Sequence, residues 1–216
     1  MAPKDPGTAS DLADVLKGAA VFFAACLFFA GVTGLYVFSW RHPLSIESYI
    51  EWAQEIILAL ACAAAFSLYK HEPEAVKGGY LLMAGFFTAM LIREFDQYFD
   101  VLSHGSWVYA EAAVLVPLLV CVWRLGFKSA LGGLADIARS KTFVVLALSL
   151  ALVLVYSRLF GSSHFWAAIL GERAGAYYDM KRVVEEAAEF EGYIFLFASV
   201  AVLWFEKLVL NRRKDR

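Results

Sequence analysis

An all-α, polytopic membrane bundle of about six transmembrane helices, with short interfacial helices, is the fold this sequence predicts, on three observations. Hydrophobic residues make up 61% of the 216, against ~45–50% in an average soluble domain. Mean hydropathy is +0.61. Apolar runs of about twenty residues, the length that crosses a ~30 Å hydrocarbon core, recur six times. The segments between them are short, so no sizeable soluble domain is expected.

The expected spans are residues 17–40, 46–69, 76–99, 107–123, 142–159 and 180–210. Ser10 is placed to cap the first helix, and Ser45 the second. Arg41-His42-Pro43 and Lys70-His71-Glu72-Pro73 stop the first two, since proline cannot continue a helical ladder. Between spans four and five, residues 124–140 mix apolar and charged positions, which predicts a short helix lying in the interface. Residues 161–178, with His164, Phe165, Trp166, Tyr177 and Tyr178, read as a loop anchored by interfacial aromatics. The last span is too long for hydrocarbon alone. The domain reading is an N-terminal cytoplasmic segment (1–16), a membrane domain (17–210) and a basic cytoplasmic tail (211–216). The acidic lead-in of the first run (Asp5, Asp11, Asp14) and its length argue against a cleaved signal peptide.

Thirteen of the nineteen Lys and Arg fall on the side of the N-terminus. The positive-inside rule then puts both termini in the cytoplasm, and the expected location is a bacterial inner (plasma) membrane. Thirteen of the twenty-one acidic residues fall on the opposite side, which gives the outer half a formal charge of -7 and the inner half +5. Such an outer face favours cations. The overall charge of -2 offers nothing to nucleic acid, and no glycine-rich phosphate loop suggests a nucleotide. Cys26, Cys62 and Cys121 stand singly in apolar runs and read as small buried hydrophobes.

The chemistry-bearing pattern is acidic. Glu47, Glu51 and Glu55 recur at four-residue spacing with Gln54 beside them, one stripe of a helix that descends ~12 Å. Glu185, Glu186 and Glu189 repeat the theme on the last span, with Arg182 one turn earlier. Arg93, Asp96, Gln97 and Asp100 share a face at the end of span three, with Glu94 offset. Glu111 opens span four, and Arg158 lies near the outer end of span five. Ionised groups inside a span are costly and by default mark a functional site or a buried ion pair. Glu51, Glu55, Glu94 and Glu189 are therefore the candidate cation or metal ligands. Glu47, Gln54, Arg93, Asp96, Gln97, Glu111, Arg158, Arg182, Glu185 and Glu186 support them. Oxygen donors alone suit Ca²⁺, Mg²⁺ or Mn²⁺ better than Zn²⁺. No histidine falls at a metal-ligand spacing.

Three functions fit this pattern. The first is a site open to the exoplasmic side that binds a cation for transport, sensing or static binding. The second is a membrane enzyme, metal-dependent or acid/base, acting on a lipid-linked substrate. The third is a subunit or assembly factor whose charged helix ends dock another membrane protein or a second copy. Glu185-Glu186 is followed by Phe190 where the E-E-x-x-x-R pattern of CAAX-type intramembrane proteases needs arginine. Asp96 and Asp100 lack the companions of the CDP-alcohol phosphotransferase pattern. Spans one to three and four to six show no repeated charge pattern, which weighs against an inverted-repeat transporter.

Overall fold

The computed structural model describes residues 8–39, 47–101, 103–171 and 178–210, all of them helix or short turns with no strand. Six helices among the described residues are long and apolar enough to cross a membrane. The chain is a multi-pass helical membrane protein. Its contacts divide it into two units, Met1–Glu47 and Ser48–Arg216. The described part of the first unit is a helix, α1 (Thr8–Ser39). Ser10 lies inside it rather than capping it, and the expected cap at Ser45 and turn at Pro43 fall outside the described residues.

The second unit is α2 (Glu47–His71), α3 (Glu74–Glu94), α4 (Asp96–Asp100), α5 (Trp107–Leu125), α6 (Phe127–Ala138), α7 (Phe143–Ala151), a π-helical stretch (Leu152–Tyr156), α8 (Ser157–Phe160), α9 (Ser163–Leu170) and α10 (Tyr178–Phe205), with a second π-helical stretch at Glu206–Leu210. Pro73, held in an extended conformation, separates α2 from α3.

Two differences from the expected elements bear on the site. Span three does not run unbroken to residue 99. Its ladder stops at Glu94, where Phe95 leaves α geometry, and α4 starts anew. Asp100 accordingly turns away to staple the next turn: it accepts from the Gly105 N–H at 2.8 Å and pairs with His104 at 2.9 Å. The Gly105 N–H bond, helped by His104, holds the Asp100 carboxyl below its ordinary range. The residues expected as an aromatic loop contain a helix, α9, whose Ser162 cap accepts from the Phe165 N–H at 3.4 Å. Residues 172–177 fall outside the described ones.

The core is a seam of three helices. On α2, Gln54, Leu58, Ala61, Ala65 and Leu68 are buried; on α10, Glu189, Tyr193, Leu196, Val200 and Leu203 are. Both sets alternate steps of four and three residues, the repeat that packs helices knob into hole. Tyr80, Ala84 and Phe87 of α3 close the cluster. Cys62 belongs to this core, as expected, whereas Cys121 faces outward on α5.

Helix α6 meets α3 backbone to backbone. A methyl group added at Gly79 would overlap the Gly133 and Leu134 backbone, and one at Gly133 would overlap the Val76 carbonyl and Gly79. Ser129 reinforces the crossing: it accepts from the Gly78 N–H at 2.9 Å and donates to the Glu74 carbonyl. The far end of α10 locks onto the same helix. Lys207 binds Asp136 and lies 3.6 Å from Glu72, and the Tyr80 hydroxyl donates to Asp136 at 2.7 Å. Burial works to raise the Asp136 carboxyl, but the hydrogen bonds from Lys207 and Tyr80 prevail and hold it below its ordinary range. Burial raises that of Glu72, against the pull of Lys207.

Three outcomes follow for thermal unfolding in detergent. Gly133→Ala is expected to destabilise by about 1–3 kcal/mol through overpacking. The same change at Gly18, where a methyl group meets nothing within 4 Å among the described residues of its own unit, is expected to stabilise by up to about 1 kcal/mol, because glycine is a poor helix former. Asp136→Asn is expected to cost about 1–3 kcal/mol, the worth of charge-assisted hydrogen bonds. Equal melting of the Gly133 and Gly18 variants, or an Asp136 variant that melts with the parent, would count against these contacts.

Candidate functional site

At the end of the bundle opposite Asp136, the buried seams turn polar. Gln54 continues the α2 seam and is 1% exposed; Glu189 continues that of α10 and is 5% exposed. Between them lies a partly open cavity of about 210 Å³. Its walls are Glu51, Gln54 and Glu55 from α2, Arg93, Glu94 and Asp96 from the α3–α4 break, Arg158 from α8, and Glu185, Glu186 and Glu189 from α10. The four candidate ligands and six of the supporting residues thus share one cavity.

The remaining four supporting residues are placed differently. Arg182 reaches the site from its edge, 3.8 Å from Glu51. Glu111 lines a neighbouring cavity. The side chains of Glu47 and Gln97 lie outside the described residues. Arg93 and Glu94, consecutive in α3, emerge about 100° apart, as expected, yet both line the cavity together with Asp96. The three line one cavity because α3 ends at Glu94, α4 restarts the helix at Asp96, and Arg93 is long enough to reach in from the rim.

Arg158 organises the site. One guanidinium nitrogen is 2.8 Å from Glu189 Oε1, the other 3.8 Å from Glu185 Oε1. Its position depends on the π-helical stretch just before it, because a wider turn changes the face on which the following residues emerge. A methyl group at Gly192 would strike Val153 in that stretch, and one at Gly161 would strike the Glu185 carboxylate. These two glycines permit the close approach of the fifth span to α10.

Hydrogen bonds fix the other carboxylates. The Ser157 hydroxyl lies between the Val153 carbonyl and Glu189 Oε1, 3.1 Å from the latter, and shares its one proton between them. Gln54 Nε2 donates to the Glu186 carbonyl at 3.2 Å and to its Oε2 at 3.4 Å. The Tyr193 hydroxyl, on a residue 1% exposed, donates to Glu94 Oε1 at 2.6 Å. Glu55 Oε1 and Arg158 Nε are buried without a hydrogen-bond partner among the described residues. Sequence reasoning missed Ser157 and Tyr193. The available signal was position: Tyr193 is one helical turn after Glu189, and Ser157 immediately precedes Arg158.

A second cavity of about 180 Å³ shares Arg93, Glu94 and Arg158 with the first and continues along Phe86, Met90, Val153, Leu154 and Tyr193. The two are joined through a charged wall, one side acidic and the other largely apolar. No three His, Cys, Asp or Glu side chains among the described residues are grouped closely enough to hold a metal ion directly.

Removing one partner of a buried ion pair leaves the other charge uncompensated. Arg158→Gln is therefore expected to cost about 2–4 kcal/mol, and adding Glu189→Gln is expected to restore much of it. A double variant no more stable than the Arg158 single variant would show that the pair is not what holds α8 to α10.

No protein-family model, curated protein or solved structure matches this chain.

Proposed function

We propose that this chain is an inner-membrane protein, with both termini in the cytoplasm, that binds a cation in the carboxylate-lined cavity from the exoplasmic side. One observation carries the reading: seven carboxylates line the cavity and two guanidiniums do. Close pairs of like charge repel by about 1–4 kcal/mol at effective dielectrics of ~80 to ~20. Arg158 and Arg182 answer Glu189, Glu185 and Glu51, which leaves an acidic excess. A bound cation would offset it, and would also meet the buried Glu55 oxygen that lacks a donor.

The spread of the carboxylates bears on which cation. A hard divalent ion such as Ca²⁺, Mg²⁺ or Mn²⁺ would have to draw the side chains inward or bind through retained water, as Mg²⁺ commonly does. An organic ammonium ion suits the wider arrangement as it stands.

The second cavity supports one further reading, an acid/base or metal-dependent enzyme acting on a lipid-linked substrate. The apolar wall of Phe86, Met90, Val153 and Leu154 would hold a tail, while Arg93, Arg158 and the carboxylates address the polar part.

Calorimetric titration of the purified protein with Ca²⁺, Mg²⁺, Mn²⁺ and tetramethylammonium checks the proposal. Saturable binding of at least one is expected with Kd below about 1 mM, the weak end for protein Ca²⁺ sites. A Glu55→Gln/Glu189→Gln variant that keeps its helical circular dichroism is expected to lose it. If the parent binds none of the four, or the folded double variant binds as the parent does, the cavity is a structural cluster.

A further inference from the structure

Helix α6 is firmly attached to the bundle, yet it turns outward a surface that, among the described residues, meets no direct partner beyond the charge that Arg139 exerts on Asp136. Its buried side is Ser129, Ala130, Gly133 and Ile137. At 100° per residue, Phe127, Leu131 and Leu134 form a stripe ~60° wide beside that buried side, and all three are exposed. Lys128 and Arg139 lie ~100° further round, and Arg124 and Lys141 flank the helix at its two ends. All four cations are exposed, and none takes part in an ion pair or side-chain hydrogen bond among the described residues.

The nearby acids are engaged elsewhere. Glu74 pairs with Lys77, and Asp136 is held by Lys207 and Tyr80. The first turn of α6 carries no acidic residue, and its cap position is Gly126, which has no side chain to offer. The partial positive charge of a helix start therefore adds to Arg124 and Lys128 instead of being neutralised.

An apolar stripe next to a row of cations, on a short helix whose mixed composition reads as interfacial, matches one partner, a leaflet surface containing acidic lipid. We infer that α6, with Arg124, Lys128, Arg139 and Lys141, is a docking surface for anionic phospholipid headgroups. The apolar stripe enters the acyl boundary and the four cations meet headgroup phosphates. Because the Gly79–Gly133 crossing and the Asp136 contacts fix α6 to α3 and α10, the cations are held at set positions, ~16 Å apart from Lys128 to Arg139 along the helix. The surface is thus prearranged rather than formed on contact.

The test is native mass spectrometry of the full chain in neutral detergent, titrated with equal amounts of phosphatidylglycerol and phosphatidylethanolamine. The parent is expected to retain phosphatidylglycerol preferentially, and R124Q/K128Q/R139Q/K141Q to lower that preference at least ~5-fold, the loss expected from about one juxtamembrane charge. The charge-keeping set R124K/K128R/R139K/K141R should behave as the parent. R139Q/K141Q should lose more than K17Q/K70Q, which removes the same charge from other helices. Should the fourfold variant not fold, R124Q/K128Q and R139Q/K141Q are read separately against K17Q/K70Q. Absence of preference in the parent, equal loss in K17Q/K70Q, or displacement of the lipid by millimolar inorganic phosphate would overturn the proposal.

Discussion

A carboxylate within a membrane span has to be compensated, and most of what is distinctive in this bundle follows from that constraint. Hydrocarbon cannot solvate the charge, so arginine, hydrogen-bond donors, cavity water or a ligand must do it. Arg158 reaches Glu189 and Glu185 only because the fifth span widens into a π turn and because Gly161 and Gly192 let that span lie against α10. Ser157, Gln54 and Tyr193 direct side-chain donors at Glu189, Glu186 and Glu94 in turn. The backbone irregularity, the glycines and the buried polar side chains are thus one arrangement.

The site is an extension of the core rather than an addition to it. The four–three repeat that buries Leu58, Ala61, Ala65 and Leu68 on α2 runs back through Gln54 to Glu51. The repeat on α10 runs back from Leu196 and Tyr193 through Glu189 to Glu186. Over most of their length these positions interlock apolar side chains. At one end the same positions carry acid and amide, and the helices enclose a cavity instead of closing. At the other end Lys207, Asp136, Glu72 and Tyr80 form a compact set in which one cation meets two carboxylates. The two sets differ: at one end a lysine and a tyrosine hold two carboxylates in direct contact, while at the other seven carboxylates surround a partly open cavity.

The legible parts of the structure were those governed by local pattern. Six apolar runs gave the spans within a few residues, and the mixed composition around Leu131 gave α6. Three- and four-residue spacing placed Glu51, Glu55, Glu185, Glu186 and Glu189 on shared faces. What could not be read was decided between helices. Adjacency of α2, α3, α8 and α10 comes from interdigitation, which no single run encodes. The break at Phe95 has neither proline nor glycine to announce it, so Asp100 seemed to belong with Arg93 when it belongs to the Gly105 turn. The π turn before Ser157 lies in an ordinary Val-Leu sequence and is visible only in the packing against Gly192.

The wall shared by the two cavities constrains any ligand more than the acidic count does. Arg93, Glu94 and Arg158 face both spaces. An ion small enough to sit among the carboxylates would use only the polar side, and the apolar pocket beyond would have no part in binding it. A molecule that fills both must carry positive charge or a proton-exchanging group at one end and a hydrocarbon portion at the other. It would pass an Arg-Glu boundary suited to a polar linkage between them. Tyr193 sits at that boundary, lining the apolar space while its hydroxyl donates to Glu94. The carboxylate facing the acidic cavity is therefore oriented by a side chain that an occupant of the apolar one would touch.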